Sequence, residues 1–375
     1  MKLERLKLKA YAAKKPVVIT SEGRFLTLQQ VADTPSLGAG SLFALSEDLQ
    51  VELAVQRYSL EPDFRLGVIG SGLYSRDEII DNIKSKTSFG QVVVQAEMGY
   101  CSELASSLGT GAVPTWPKMP PKGPAIPPGW KPAGKCVRLR LKNRVLFCEN
   151  TTDNVTTPIA TWRLANVHPA FQSRGFTVVA LTGTDDTRAN FAPAAKNPLT
   201  TYIGGVGHGN YDVYTGHWGD VLLKIGQYDA AEVKGKVLHF LSCRTGRDLG
   251  PDVVGNGGRA YAGYTENFTF VWDNAATPID EFLLFVKADA TFDLQMAAGT
   301  PAGTAYSATI QAFNAAIAQV PNTAAATWLT YDRDHFKLHG SSAATIVPFR
   351  WIKVCLPIRR LEAEAALLDA GEPED

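Results

Sequence analysis

The chain runs to 375 residues, 45% of them hydrophobic and 20% charged, with 37 basic residues balancing 37 acidic ones. A formal net charge of zero excludes the electrostatic footprint of a nucleic-acid binder and a polybasic membrane contact. No run reaches the ~20 consecutive apolar residues of a membrane span, and the basic start (Lys2, Arg5, Lys7, Lys9, Lys14, Lys15) alternates with apolar residues instead of leading into a signal-peptide core. A soluble cytoplasmic protein is therefore expected, long enough for more than one domain.

In chain order, Val17–Thr20 predicts a short strand, and Ser75 followed three residues on by Glu78 predicts a capped helix. Nothing in residues 1–112 proposes chemistry; the region is expected to be a propeptide, an inhibitory arm or a docking module for an activating or inhibitory protein partner. Residues 113–135 are so rich in proline that few backbone donors remain, which predicts an extended spacer. Across 136–360, apolar runs at Arg144–Cys148, Phe176–Leu181, Tyr202–Val206, Val237–Leu241 and Ala260–Tyr264 interleave with helix-like stretches at Pro158–Phe171, Pro278–Met296 and Ala302–Val320. Continuous apolar strands between helices predict an α/β fold, a three-layer α/β/α sandwich on a mostly parallel sheet, with the N-terminal region separate from it. Gly183–Leu199 reads as a loop overhanging the sheet, and 361–375 as an acidic tail. In such sheets, sites form outside the carboxyl ends of the strands.

Two of these strands end in chemically loaded turns. Tyr202-Ile-Gly-Gly-Val-Gly sets His208 just past an apolar strand with Gly209 behind it, and Val237-Leu-His-Phe-Leu-Ser does the same for Cys243. On parallel neighbours the two side chains emerge at one edge, where the imidazole can take the thiol proton and produce the thiolate nucleophile. The N–H groups of Gly209 and Cys243 are then candidates for an oxyanion hole. Five cysteines (Cys101, Cys136, Cys148, Cys243, Cys355), odd in number and without a CxxC pair, argue against a disulfide framework or a zinc site and leave room for a reactive thiol. Cys148 lies inside a strand and reads as buried core. His339-Gly340 repeats the dipeptide in a terminal strand and turn, while His217 and His239 lack the strand-then-glycine setting.

An apolar strand with His-Gly, followed 35 residues on by an apolar strand with Ser-Cys, resembles the signature of the caspase-like (clan CD) cysteine peptidases. Phe240-Leu-Ser-Cys-Arg-Thr-Gly is nearest to the bacterial gingipain, clostripain and CHAT side, because caspases carry Gln and metacaspases Asp where Leu241 stands. The resemblance covers roughly residues 140–345. It implies a caspase-like sandwich and a Cys243–His208 dyad that cuts protein or peptide substrates through an acyl-enzyme. It further implies a latent precursor and no metal or cofactor. An acidic or amide side chain at the end of the first core strand would orient the histidine, and Glu149 and Asn150 stand in the matching place. Cleavage after Arg or Lys would need a carboxylate at the base of the S1 pocket, with Asp153 the first candidate and Asp185, Asp186 and Asp273 behind it. Self-cleavage is then expected at Arg188, Lys196, Lys122, Lys131 or Lys135. The rival readings are a pseudoenzyme scaffold of the same fold and a nucleotide-binding protein using Gly204–Gly209 or Gly255–Gly258 as a phosphate loop, although neither has the strand–turn–helix context such loops require.

Overall fold

A computed structural model of the chain describes residues 8–20, 22–33, 42–109, 136–272 and 281–355. The spacer 113–135, the tail 361–375 and Asp273 lie outside them. The N-terminal elements are a ribbon of β1 (Pro16–Ile19) and β2 (Phe25–Thr27), then α1 (Leu28–Asp33), α2 (Glu47–Ser59), a hairpin of β3 (Arg65–Val68) and β4 (Gly72–Ser75), α3 (Arg76–Lys84) and α4 (Ser88–Gly109). The expected cap forms: Ser75 Oγ accepts from Glu78 N–H at 3.3 Å, and Glu78 Oε2 accepts from Ser75 N–H at 2.7 Å. This reciprocal pair satisfies two of the donors a helix start leaves open.

The second part begins with β5 (Cys136–Lys142), β6 (Arg144–Glu149), α5 (Thr156–Ser173), β7 (Thr177–Thr182) and α6 (Arg188–Lys196). β8 (Thr200–Val206), β9 (His208–Asn210), β10 (Val213–Thr215), β11 (Val221–Lys224), the short α7 (Ala230–Val233) and β12 (Val237–Leu241) follow. After α8 (Leu249–Gly255), β13 (Ala260–Tyr264) and β14 (Thr269–Trp272), the chain closes with α9 (Glu281–Ala297), α10 (Ala302–Ile317), α11 (Ala324–His335), β15 (Phe336–Gly340) and β16 (Phe349–Cys355). The central sheet has the order β15-β13-β12-β8-β6-β7. All its pairs are parallel except the edge pair β13–β15.

β12 and β13 are buried at every residue, which is why their sequences run apolar without alternation. Along β6 successive side chains face opposite layers. Val145 and Phe147 join a core with Ile159 and Phe171 of α5 and Phe285 and Phe292 of α9. Leu146 and Cys148 join another with Phe191 and Ala195 of α6 and Leu249 and Val253 of α8. The protein is thus a mixed α/β fold whose mostly parallel six-stranded sheet lies between helices, an architecture consistent with a caspase-like sandwich.

Two expectations change. Gly183–Leu199 is not a loop: after a 3-10 turn it forms α6, anchored where Arg188 pairs with Glu232 at 2.5 and 2.7 Å. Pro193 inside the helix hid it. The N-terminal elements also share the core on the α9 side of the sheet instead of standing apart. Trp328 of α11 donates to Tyr58 of α2 at 3.0 Å, and buried Arg57 reaches Asn322 at 2.8 Å and Pro16 O at 2.6 Å. β3 also pairs with β14, forming the three-stranded sheet β14-β3-β4. The proline-rich segment therefore interrupts the chain without dividing the core.

Candidate active site

β8 and β12 are adjacent and parallel, with Val206 opposite Leu241. The last link of the ladder runs from Gly207 N–H to Leu241 O at 3.3 Å. Two residues past that matched pair, the chains deliver His208 and Cys243 to one edge of the sheet, as the strand-end reading expected. The loops nest tightly. A Cβ on Gly209 would lie 2.8 Å from Cys243 O and 2.5 Å from Thr245 Cγ2, so only glycine fits there.

The residue facing the histidine is Asp153. Its Oδ1 accepts from the N–H groups of Val155 and Thr156 at 2.8 and 2.9 Å, which fixes the carboxylate at the start of α5. Its Oδ2 lies 2.7 Å from His208 Nε2. Burial would raise the Asp153 pKa, but the hydrogen bonds from His208 and from the two backbone donors outweigh it and hold the group well below the usual carboxylate range. Asp153 is therefore an acceptor, and it directs a ring proton of His208 to Nε2. Nδ1 is buried and has no hydrogen-bond partner among the described residues.

Cys243 is 2% exposed, and its thiol donates to Ile69 O at 2.7 Å. Burial pushes the thiol up to about 12, against the opposing effects of a hydrogen bond from the Phe268 backbone and of Arg244. Ile69 belongs to the turn of the β3–β4 hairpin, and Gly70 beside it faces the histidine: a Cβ there would lie 3.9 Å from His208 Nδ1.

The orienting residues expected at Glu149 and Asn150 are corrected by this geometry. Glu149 points into the core, where it accepts from Arg163 Nε at 3.1 Å and pairs with His168 Nε2 at 2.9 Å. Asn150 donates to Gly216 O at 3.0 Å and accepts from Thr152 N–H at 2.9 Å. The strand end turns both away, and the loop after it brings Asp153 round to the histidine. Asp153, expected at the base of an S1 pocket, is thereby engaged elsewhere. Asp185 lies in the 3-10 turn after β7. Asp186 is buried beneath Gly216, where an added Cβ would meet its Oδ2 at 2.6 Å. Burial and then the Glu149 charge push it up to about 8, so it offers no settled anion at neutral pH. His339 Nε2 is 2.6 Å from Gly246 O in β15, and Cys148 is wholly buried.

Sequence reasoning missed two features. One is the hairpin turn at Ile69–Gly70, whose partner strand β14 lies far along the chain. The other is a sealed cluster under the sheet. His239 Nδ1 lies 3.1 Å from Asp293 and Nε2 lies 3.3 Å from Asp289. The ligand-type atoms of these three residues lie within 4.8 Å of one another, as metal ligands do. Here the Arg163 guanidinium, 2.7 Å from Asp293, already supplies the positive charge a metal would bring.

No protein-family model matches the chain, and no curated protein does. Among solved structures, the complex of Porphyromonas gingivalis RgpB pro- and mature domains is similar over 55% of this chain and 48% of that one, at 11% identity and a TM-score of 0.36. The overlap thus spans about half of that chain's length. No helix among the described residues is long and apolar enough to cross a membrane.

Proposed function

We propose that the protein is a cysteine endopeptidase in which Cys243 is the nucleophile, His208 the proton carrier and Asp153 the residue that positions the imidazole. One observation carries this reading: the Cys243 thiol and the unpartnered Nδ1 of His208 both face the Ile69–Gly70 peptide unit, while Asp153 holds the other ring nitrogen. His208 takes the thiol proton, and the thiolate sulfur adds to the carbonyl carbon of a substrate peptide. The N–H groups of Gly209 and Cys243 receive the oxygen that gains charge. His208 passes its proton to the leaving nitrogen as the C–N bond breaks, leaving a thioester on Cys243. Water then adds to the thioester and gives a proton to His208. The C–S bond breaks, an acid product leaves, and the thiolate recovers the proton.

Protein or peptide substrates are the partners in this reading. The expectation of a basic P1 residue loses its first acid, since Asp153 faces the histidine. The test is prolonged digestion of a peptide library by excess purified protein, read by mass spectrometry, with Cys243→Ala in parallel. Cleavage by the wild type alone is expected; equal cleavage by Cys243→Ala would refute the reading.

A further inference from the structure

β3 adds to β14 in antiparallel register, with Leu66 opposite Val271 and Val68 opposite Thr269. The ladder continues one residue further, through Ile69 N–H to Phe268 O at 3.2 Å. That pairing delivers the Ile69 carbonyl oxygen to 2.7 Å from the Cys243 sulfur and Gly70 to the Nδ1 side of His208. A paired strand edge, the thiol of Cys243 and the free nitrogen of His208 thus converge on one peptide unit of the same chain, with the sulfur resting on its carbonyl oxygen. The approach depends on Gly67, where a Cβ would come between 2.3 and 2.7 Å from Phe270 ring atoms.

From this we infer that Arg65–Gly70 lies in the substrate groove as a substrate mimic, that Ile69 holds the place of the residue before the cut bond, and that the groove takes extended polypeptides with an apolar residue there. The inference rests on the peptidase reading above. Ile69 is 1% exposed and belongs to the same apolar cluster as Cys243 and Phe268. Asp332 anchors β14 by accepting from Thr269 N–H at 3.1 Å and from its hydroxyl at 3.2 Å. Burial drives its carboxyl well above the ordinary range. A guanidinium in the place of Ile69 would enter this apolar cluster, which is costly for a charge.

The arm is also built to stay whole. Just past Ile69 the chain reverses: Ser71 N–H donates to Val68 O at 3.0 Å, and Gly70 takes φ +84°, which glycine adopts without strain. β4 then pairs back on β3, with Gly72 opposite Val68. Were Cys243 acylated by Ile69, the freed Gly70 amine would stay tethered beside the thioester at high effective concentration, and the peptide bond would re-form faster than water could enter.

The experiment compares iodoacetamide labelling of Cys243, located by peptide mass mapping, in the wild-type chain, Gly67→Val and Ile69→Asp. The first variant drives the arm off Phe270, and the second puts a carboxylate beside the thiol. Cys243 is expected to react about tenfold faster or more in both variants than in the wild type. Buried Cys101 and Cys148 stay unlabelled in a variant that has kept its fold, and the wild-type rate stands alone as a measurement if either variant unfolds. A wild-type Cys243 that alkylates as fast as a cysteine in the urea-unfolded chain overturns the occupied groove. On the opened variants, a fluorogenic Leu-Gly-Val-Ile amide is expected to be cut about tenfold or more faster than its Leu-Gly-Val-Arg counterpart. Preference for the Arg peptide overturns the apolar assignment. Gated labelling without turnover of any peptide overturns the peptidase reading itself and leaves the arm as a cover.

Discussion

The molecule holds two aspartate–histidine clusters that share chemistry and differ in almost everything else. At the sheet edge, Asp153 engages one nitrogen of His208 and leaves the other without a partner, and the side chains are 30% and 31% exposed. Beneath the sheet, both nitrogens of His239 face carboxylates, Asp293 and Asp289, and every side chain of the cluster is essentially sealed. The outer histidine can give and take a proton from something that enters. The inner one is closed in by its neighbours: Tyr202 and Tyr264 donate to Asp293 and Asp289, Arg163 faces both carboxylates, and the Nε2 of His239 lies against Asp289 without a hydrogen bond. The two histidines therefore differ in exposure: the outer side chain lies partly open at the sheet edge, and the inner one is sealed.

The largest effect that would break this contrast lies at the outer site. Measured on the opened Gly67→Val background, Cys243→Ala is expected to abolish turnover, and His208→Ala to reduce it by several orders of magnitude, with both proteins folded because each residue sits past a strand end. Turnover above a few per cent in Cys243→Ala would sink the assignment. Next in size, Asp153→Asn should lower kcat about 100- to 10,000-fold with KM little changed, by losing the proton placement on Nε2. Glu149→Gln should leave kcat of the folded enzyme near wild type while lowering the denaturation midpoint, and the reverse pattern would return the orienting role to Glu149.

Part of this contrast was legible in the sequence, for a physical reason. His208 and Cys243 follow apolar strands directly and have small neighbours, so their place at the sheet edge depends only on local pattern and on the two strands being parallel. Asp153 was visible as an acid, but its role depends on a turn. The pattern Asp153-Asn-Val-Thr reads as a helix start, and nothing local says that the second carboxylate oxygen looks across to β8. The error over Glu149 came from its partner, since an arginine inside α5 reads as surface until Asp289 and Asp293 are known to lie beside it. The pairing of β3 with β14 joins segments from opposite halves of the chain, and such long-range register leaves no local signal. Its one trace was Gly67 and Gly70 in an apolar run, positions where a backbone comes close to something.

For the inner cluster the expected effect is on stability. Asp293→Asn removes the carboxylate shared by Arg163, His239 and Tyr202. Breaking a buried charge network from one side costs about 3–5 kcal/mol, so urea unfolding should shift by that much while labelling of Cys243 in the folded protein stays as in wild type. A shift below about 1 kcal/mol, the range of an exposed pair, would mean that water reaches the cluster and that the sealed reading is wrong.

The smallest effect is one of pH, and its sign follows from the same carboxylates. Burial lowers the pKa of His239, but Asp293 and then Asp289 outweigh burial and raise it from 6.5 to about 9. A group whose pKa is raised on folding contributes stability that is fully present below its unfolded value and is lost as pH rises through the folded one. The protein should therefore lose stability from about 6.5 upward, with the loss complete above about 9. Asp186 adds a slope of the same sign up to about 8, because burial and then the Glu149 charge raise it too. The window between those two values, about 8 to about 9, accordingly separates them. Urea midpoints measured there should fall less steeply in His239→Gln, whose amide can still donate to one carboxylate, than in the wild type and in Asp186→Asn; the buried thiols and Asp332, also raised, keep some slope in all three. A His239→Gln slope equal to that of the wild type would show that His239 is neutral in the folded protein, and that Arg163 is the cation facing the two aspartates.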